Sequence, residues 1–363
     1  MLLIITVVVA FFYFLMILIF SVGWKNSFTY EPKGNDSLDI MISVVVACKN
    51  EDKTLRSLIS AVAQQSYQNF ELIIVNDHST DSTYNFAKNA QKTFQNLVLI
   101  NAVGHGKKNA LKEGIQNAKA DLIVTTDADC IPSFLWLESI ASFQKRYDCD
   151  LIICPVGIHD NETIFSRVQA LEFVSLVGVA AGSAGAGMPI LCNGANLAFK
   201  KESWFKSSGN LHPEQQSGDD IFLLESMKKR GEKIRFLKSE VAFVKTKQAK
   251  SLLEFLKQRR RWASKSGSYS DLQLISVACL VFIICALQLT LLAFSFDYLI
   301  CAVLGSSLFV FKYALDTYFL YRVRRFFQLD NIWIYALILS VLYPFYIVFV
   351  SVSSLLFKPK NWN

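Results

Sequence analysis

Two aspartates separated by one residue, Asp127 and Asp129, follow directly after the apolar run LIVTT. If that run forms a β-strand, side chains two residues apart at its end project to the same side, so the two carboxylates converge. Converging carboxylates are costly without a cation, and Mg²⁺ and Mn²⁺ prefer such oxygen ligands together with substrate phosphates. The pair therefore predicts a divalent metal site that receives a diphosphate, although a solvated acidic turn would have the same sequence.

Further charged residues follow three other apolar runs. Asp77 comes after ELIIV, where its carboxylate could accept a hydrogen bond from the imide of a uracil ring. Glu51 comes after ISVVVAC, where it could contact the same nucleotide or cap a helix. Lys107 lies in a Gly-flanked loop after NLVLINA and could approach a phosphate or be a solvated surface residue. These three residues join Asp127 as candidates for binding a nucleotide.

Two more patches with chemical potential lie farther along the chain. Asp219 and Asp220 precede the helical pattern FLLESMKK, where a carboxylate could act as general base or both could only cap the helix and favour its dipole. Gln258, Arg261 and Trp262 belong to QRRRW, next to a long apolar segment. They could contact a diphosphate and a second substrate, or form a basic flank with an interfacial Trp.

The elements that would position these residues alternate between strands and helices. From residue 40 to about residue 130, four apolar runs are followed by polar turns, and the first three turns lead into helical patterns. This rhythm predicts an α/β fold with a mostly parallel, Rossmann-like nucleotide-binding sheet that carries helices on both faces. Ligands of such sheets bind beyond the carboxyl ends of the strands, which is where the candidate residues occur.

Long apolar segments flank this region. Their lengths suit a bilayer, and they occupy 2–22, 274–296, 298–320 and 332–357. A cleaved signal peptide is the alternative for the first, but it has neither a basic start nor a small-residue cleavage site. We predict an N-terminal transmembrane helix over 1–23, a catalytic domain over 40–265, and three transmembrane helices within 272–357.

The positions of Lys and Arg orient these segments. Basic residues cluster after the first segment, before the second, and between the third and fourth, whereas the turn between the second and third holds only Asp297. The positive-inside rule predicts a multi-pass protein of the cell (inner) membrane with a cytoplasmic catalytic domain, although Lys358 and Lys360 argue weakly against it. The net charge of +7 is concentrated beside the apolar segments, so we expect contact with the membrane and none with nucleic acid.

Two details within the apolar regions lead to further expectations. Lys312 and Asp316 are spaced i, i+4 in the third segment, so we predict that they pair and face protein rather than lipid. The Gly/Ala-rich run 178–187 is either a flexible segment that meets an acceptor or a loosely packed helix end, and we prefer the second interpretation.

Seven short motifs occur in a characteristic order: VVACKNE at 45–51, NDHSTD at 76–81, GKKNAL at 106–111, DAD at 127–129, NGANLAF at 193–199, GDD at 218–220 and QRRRW at 258–262. Together they resemble the family 2 glycosyltransferases, especially the membrane-embedded branch of cellulose synthase, hyaluronan synthase and ceramide glucosyltransferase. The resemblance covers about residues 40–265. It implies a GT-A fold and transfer of a sugar with inversion.

The resemblance also implies roles for the first group of candidates. Asp77 would bind the nucleobase, while Asp127 and Asp129 would bind the diphosphate and a Mg²⁺ or Mn²⁺ ion. Two departures from the family pattern stand out. Ala47 occupies a position where many members have Pro, and Asn76 replaces the first acid of the usual Asp-Asp pair, which weakens the nucleobase assignment.

For the two patches farther along the chain, the resemblance implies one role in catalysis and one in closing the site over its substrates. Asp220 would be the general base, with Asp219 beside it as the alternative. Gln258, Arg261 and Trp262 would close over donor and acceptor.

The predicted function is therefore an inverting, metal-dependent glycosyltransferase. It would move a sugar from a nucleotide-sugar donor, expected to be UDP-linked, to a membrane lipid or lipid-linked acceptor. Four spans are few for a long translocation channel, which favours single transfer over a processive polysaccharide synthase. A nucleotide-sugar-binding membrane protein without turnover is a further alternative.

Overall fold

The computed structural model describes residues 1–32, 38–158, 163–207 and 218–356. The chain divides into two compact units, which are described separately below. One unit takes in Ser27–His159 and Leu191–Lys247, and the other takes in Met1–Asn26, Asp160–Ile190 and Gln248–Lys360. Residues 163–190 and 248–265, which lie within the predicted catalytic domain over 40–265, group with the apolar helices.

The secondary structure follows the predicted alternation. Within the described ranges the strands are β1 (Ile42–Cys48), β2 (Phe70–Asn76), β3 (Leu97–Asn101), β4 (Leu122–Thr125), β5 (Ile131–Pro132), β6 (Leu151–Ile153), β7 (Val156–Ile158), β8 (Leu197–Lys200), β9 (Ile234–Phe236) and β10 (Val244–Thr246). The α-helices of the same ranges are α1 (Leu2–Asn26), α2 (Leu55–Ala63), α3 (Thr83–Gln91), α4 (Lys107–Asn117), α5 (Trp136–Tyr147), α6 (Ile164–Gly185), α7 (Lys201–Ser207), α8 (Asp219–Lys229), α9 (Leu252–Ala263), α10 (Leu272–Ala293), α11 (Leu299–Val323) and α12 (Ile332–Leu356).

The first unit is built on a seven-stranded sheet with the order β3-β2-β1-β4-β8-β6-β9. Strands β1 to β4 run parallel, and β8 is antiparallel to both of its neighbours. Every residue of β1 and β2 is buried, as expected for central strands covered on both faces. The predicted mostly parallel sheet is confirmed.

The strand order reverses its direction beside β1 in this sheet. The chain moves outward from β1 through β2 to β3 and then returns to the other side of β1 with β4. Ligands of open α/β sheets bind at such a reversal, beyond the carboxyl ends of the strands. Asp127 and Asp129 follow β4 at this reversal.

A second sheet has three strands in the order β5-β10-β7, and the buried Asn196 side chain fastens the turn before β8 to segments that lead into this sheet. The Asn196 amide donates to the carbonyl oxygens of Pro155 (2.7 Å) and Ala242 (3.0 Å), and its own oxygen accepts from the Trp136 indole at 2.8 Å. All polar groups of this side chain are thereby paired, which is what burial in a core requires. The turn 193–196 before β8 is held in place as a result.

The second unit contains five helices that are long and apolar enough to cross a membrane. Within the residues that the structure describes, they are α1, α6, α10, α11 and α12. Four of them correspond to the predicted spans. Sequence analysis did not single out α6, because Arg167 and Glu172 interrupt its apolar pattern and its hydropathy of 1.5 is the lowest of the five.

The Gly/Ala-rich run forms the end of α6, so the interpretation as a helix end is confirmed, whereas the expected loose packing is wrong. A Cβ added to Gly182 would lie 2.5 Å from the carbonyl oxygen of Phe20 in α1, and Gly23 of α1 meets the backbone of α6 more closely still. Gly178 instead faces a side chain, because a Cβ added there would lie 3.2 Å from the ring of Phe319 in α11. The small residues allow the helix backbones to touch, as in membrane helix pairs with small residues four apart.

Adding one methyl group at this contact should loosen the helix packing. We expect Gly182→Ala to lower the free energy of unfolding by about 1–3 kcal/mol, since the new Cβ has backbone rather than a flexible side chain to displace. Thermal unfolding in detergent measures the effect. Gly267→Ala is the matched control, because among the described residues only its own chain neighbours come within 4 Å of a Cβ there. Equal melting temperatures for the two variants would contradict the close contact.

The predicted pairing of Lys312 with Asp316 is confirmed. The Lys312 ammonium lies 2.5 Å from one oxygen of Asp316, and the Tyr13 hydroxyl of α1 donates to the other at 2.6 Å. Lys312 is 3% exposed, and its ammonium also lies 4.8 Å from the ring centroid of Tyr343. Both charges are compensated inside the helix bundle, as intramembrane ions require.

Candidate active site

Asp127 and Asp129 converge beyond β4, as their spacing predicts. The Lys107 ammonium contacts Asp127 Oδ1, and the Thr246 hydroxyl donates to Asp129 Oδ2 at 3.4 Å. One ligand atom from each of Asp127, Asp129 and Cys130 lies within 4.8 Å of the others. The side chains of Asp127 and Asp129 are only partly exposed. Their two carboxylates therefore concentrate negative charge at a place where water solvates it incompletely.

The electrostatics of this site favour a cation. Burial raises the pKa of Asp129, and the neighbouring Asp127 raises it further, while Lys107 acts in the opposite direction. Burial raises the pKa of the Cys130 thiol well above its ordinary value, and sulfur is a soft donor that Mg²⁺ and Mn²⁺ do not prefer. The two carboxylates remain as hard oxygen ligands, a donor set that suits Mg²⁺ or Mn²⁺.

Asp77, the predicted nucleobase ligand, lies at the end of β2 and is covered. Its side chain is 1% exposed, and its two oxygens accept from the Gly106 N–H at 3.1 and 3.0 Å. His78 Nδ1 lies 3.2 Å from the same carboxylate, and its ring stacks on His105 with centroids 4.0 Å apart. A nucleobase can reach Asp77 only if the Gly106 and His78 contacts open. Sequence analysis assigned no role to either histidine, although His78 lies inside the motif at 76–81 and His105 directly precedes the motif at 106–111.

Glu51 follows β1 and is half-buried at the same edge of the sheet. The Thr54 hydroxyl donates to its carboxylate at 2.5 Å, and the Thr83 hydroxyl accepts its backbone N–H at 2.7 Å. Burial raises the pKa of Glu51, the Thr54 hydrogen bond opposes this, and Asp129 adds a smaller upward shift. Electrostatic coupling to Asp129 places Glu51 in the neighbourhood of the carboxylate pair.

Asp219 and Asp220 occupy the first turn of α8, after Gly218. Gly218, with φ +104°, is the residue that caps the helix, so neither aspartate is the N-cap residue itself. Asp219 pairs with Lys108 at 2.9 Å, and burial raises its pKa against the opposing effect of Lys108. Asp220 accepts the Gly194 N–H at 3.1 Å and the Ile221 N–H at 2.9 Å.

The start of α4 links these groups to the metal-type site. Lys107 and Lys108 are consecutive, and they pair with Asp127 and Asp219 respectively. The Thr125 hydroxyl at the end of β4 donates to the Gly194 carbonyl at 2.9 Å, while the N–H of Gly194 binds Asp220. The sheet unit therefore brings together the predicted residues 51, 77, 107, 127, 129, 219 and 220. Lys108 was not among the predicted site residues, although it directly follows Lys107, which was.

Three predicted site residues, Gln258, Arg261 and Trp262, lie on α9 in the other unit. Their neighbour Arg259 is buried and donates to the Gln258 side-chain oxygen at 2.7 Å. The Arg259 guanidinium carbon also lies 4.2 Å from the centroid of the Trp262 ring. The QRRRW motif is thus organised around a residue to which the sequence assigned no role.

Acidic and basic groups at the carboxyl edge of a parallel sheet suit a phosphate-bearing ligand. Lys107 and Lys108 and the N-terminus of α4 supply positive charge, which attracts phosphate oxygens. Asp127 and Asp129 could hold a divalent cation, which would supply positive charge beside the same phosphates. Asp219 and Asp220 provide carboxylates that can accept a proton from a second substrate.

The chain is similar to known proteins in both sequence and fold. Poly-beta-1,6-N-acetyl-D-glucosamine synthase of Staphylococcus epidermidis is 31% identical over 172 residues, which cover 45% of this chain and 40% of that relative. The synthase of Staphylococcus aureus (strain COL) is 29% identical over the same length. The chain therefore matches two fifths of the length of these curated relatives.

One solved structure resembles the fold along the whole chain. It is the mannosyltransferase PcManGT from Pyrobaculum calidifontis in complex with GDP-Man and Mn²⁺, with a TM-score of 0.59 and 15% identity. The match covers 99% of this chain and 100% of that one. At this identity the likeness concerns the fold alone, and it agrees with a GT-A sheet that carries N-terminal and C-terminal apolar helices.

Two family matches extend over most of the chain. Residues 43–183 match the family described as Glycosyl transferase family 2. Residues 122–352 match Glycosyl transferase family group 2, and this second match spans more than half of the chain. The protein therefore belongs to the family 2 glycosyltransferases and is itself a glycosyltransferase.

Proposed function

We propose that this glycosyltransferase moves a sugar, with inversion, from a nucleotide-sugar donor to a lipid or lipid-linked acceptor in the membrane. The observation that carries the donor assignment is the convergence of Asp127, Asp129 and Lys107 beyond β4, with Asp220 linked to the end of that strand through Gly194. We expect the donor to be UDP-linked, with Asp77 and Glu51 at the nucleoside. Opening of the His78 and Gly106 contacts is then part of donor binding.

In the proposed reaction the acceptor hydroxyl gives its proton to Asp220 as its oxygen attacks the anomeric carbon. The bond from that carbon to the diphosphate breaks, and its electron pair leaves on the phosphate oxygen. Asp220 accepts two backbone hydrogen bonds, and a carboxylate has about four lone-pair positions, so it retains capacity for the proton. Lys107 and Arg261 would stabilise the departing diphosphate, while Gln258 and Trp262 would close over the substrates.

A Mg²⁺ or Mn²⁺ ion fits the proposed site, where Asp127 and Asp129 would hold it. Two carboxylates at a partly exposed strand end, one with a pKa raised by burial and by the other, are the donor set that such an ion prefers. When bound, the ion supplies positive charge that offsets the growing charge of the diphosphate. Lys107 already contacts Asp127 and would turn toward the phosphates.

A processive polysaccharide synthase is the second candidate. The named activity of the Staphylococcus relatives, which make poly-beta-1,6-N-acetyl-D-glucosamine, favours it. The deciding experiment offers purified protein a panel of labelled nucleotide sugars with native lipid extract and measures product mass. A lipid carrying one sugar supports the first proposal, and a ladder of products supports the second. Binding of the nucleotide sugar without any transfer would contradict both.

The proposed location is the cell (inner) membrane with the sheet unit in the cytoplasm. Helix α6 does not add a fifth crossing to this scheme. It lies in sequence between β6 and β8, and these strands are hydrogen-bonded to each other, so both must be on the same side of the membrane. Four crossings by α1, α10, α11 and α12 remain, with basic residues at their cytoplasmic ends.

A cysteine introduced at exposed Ser82 should resist impermeant thiol reagents in intact cells and react after lysis. Asp297→Cys is the matched control, because this exposed residue lies in the turn between α10 and α11 on the opposite side of the proposed membrane. Cys279→Ser serves as the background, since Cys279 is an exposed native cysteine. Labelling of Ser82→Cys with protection of Asp297→Cys would invert the orientation.

A further inference from the structure

An ion pair is buried where α9 packs against α6 in the helical unit. Arg259 donates from Nε to one oxygen of Glu172 at 3.0 Å, and its second nitrogen contacts the other oxygen. Both side chains are 3% exposed. The Tyr346 hydroxyl of α12 donates to Glu172 at 3.0 Å. Three helices therefore meet at one carboxylate, and the paired geometry is the kind that specifies orientation as well as attraction.

The face of α6 around Glu172 holds the whole segment that leads into α9. Gln169 exchanges two hydrogen bonds with the backbone of Ala249, at 2.8 and 3.3 Å. Phe165 and Phe173 contact Phe255 and Trp262, with ring centroids 6.3 and 6.5 Å apart. Positions 165, 169, 172 and 173 lie on one side of a helix by their spacing. Helix α6 thus provides a complementary packing surface for α9, the helix that contains QRRRW.

Arg259 determines how its neighbours Gln258 and Trp262 are presented. A guanidinium can only donate hydrogen bonds, so the Gln258 end that lies 2.7 Å from it must be the amide oxygen. The amide NH₂ group is then the end of Gln258 that can donate to a ligand. On the other side, the guanidinium lies over the Trp262 ring at 4.2 Å and the Phe255 ring at 4.5 Å, which holds both rings in place.

We propose that Arg259 is a positioning residue for sugar transfer: fixed by Glu172, it sets the Gln258 amide to donate to the donor diphosphate and holds the Trp262 ring. The inference rests on the proposed function, in which Gln258 and Trp262 bind the donor. Glu172 and Tyr346 take part only by fixing the guanidinium. The charges of Arg259 and Glu172 cancel, so the network carries no net charge that would itself attract a substrate.

The experiment must separate positioning from simple stabilisation. Removing one partner of a buried ion pair leaves the other charge buried without compensation and destabilises the protein. Replacing all partners with apolar groups often leaves the stability unchanged. Arg259→Met and Glu172→Met alone should therefore unfold at lower temperature than the wild type. The combined variant Glu172→Met, Arg259→Met, Tyr346→Phe should recover thermal stability. Its kcat/KM should nevertheless stay about 100-fold low, because misplacement of binding groups has effects of that size.

A second pair of variants tests the contact to Gln258 directly. Arg259→Lys keeps a charge beside Glu172 but lacks the planar fork that serves Glu172 and Gln258 together. Gln258→Glu keeps an oxygen for Arg259 but replaces the NH₂ group with another acceptor. Both should raise the dissociation constant for UDP with Mn²⁺ roughly tenfold while melting close to wild type. Lys257→Met, an exposed change on the same helix, should alter neither quantity.

The outcomes are distinguishable. Return of full kcat/KM together with stability in the combined variant, or unchanged UDP affinity in Arg259→Lys, would overturn the positioning role and leave a structural ion pair. If the wild type binds UDP but transfers no sugar from any donor, the proposed function fails. The UDP affinities of the same variants still decide the role of Arg259.

Discussion

Asp220→Asn should lose about 10²–10⁴-fold in transfer rate while its affinity for the nucleoside diphosphate stays close to that of the wild type. An amide cannot take the proton from the acceptor hydroxyl, and proton transfer to a positioned base is typically worth that factor. The amide oxygen can still accept the Gly194 N–H, whereas the second hydrogen bond, from the Ile221 N–H, is lost because an amide NH₂ group cannot accept. Single-turnover kinetics with a labelled donor, together with nucleotide titration, measure both quantities.

Asp219→Asn is the matched comparison. It removes the ion pair with Lys108, so we expect a milder loss, chiefly through the lysine at the start of α4. Asp219 remains the alternative base, because burial raises its pKa toward the range in which a carboxylate accepts a proton effectively. An inactive Asp219→Asn beside an active Asp220→Asn would transfer the role to Asp219. If both variants work, the pair only supports the N-terminus of α8.

Removal of divalent metal should also abolish transfer. We expect EDTA to reduce the rate by about 100-fold or more and added Mn²⁺ or Mg²⁺ to restore it, since charge stabilisation by a metal is worth several kcal/mol in such reactions. Asp129→Asn should weaken Mn²⁺ binding, measured by titration calorimetry with UDP present. The physical reason is that Asp127 and Asp129 converge in a partly buried position where a cation relieves their repulsion.

Cys130→Ser distinguishes a carboxylate site from a thiol site. Cys130 lies within reach of both aspartates, but its buried thiol has a strongly raised pKa and should stay protonated. The serine variant should therefore bind Mn²⁺ as the wild type does. Activity that survives EDTA unchanged would remove the ion from the mechanism and leave Lys107 as the charge that serves the phosphates.

The comparison of sequence with structure separates two kinds of information. The alternation of β-branched runs and polar turns correctly predicted the parallel strands β1 to β4. It also put Asp77 and Asp127 at strand ends, since strand formation and side-chain alternation depend on neighbouring residues. The i, i+4 spacing of Lys312 and Asp316 predicted their pairing for the same reason. Such features depend on residues that are close together in the sequence. The order of the motifs that indicated the family is likewise a property of the sequence alone.

Only the tertiary structure revealed contacts between residues distant in the sequence. Asp77 is covered by Gly106, 29 residues away, and Arg259 is held by Glu172, 87 residues away. No periodicity links such positions, because their meeting depends on how helices and loops pack after the chain has folded. The close helix crossing at Gly182 was misjudged for this reason. In the sequence, glycines suggested a loosely packed helix end. Where a glycine faces another helix backbone, however, its missing side chain permits the closest packing.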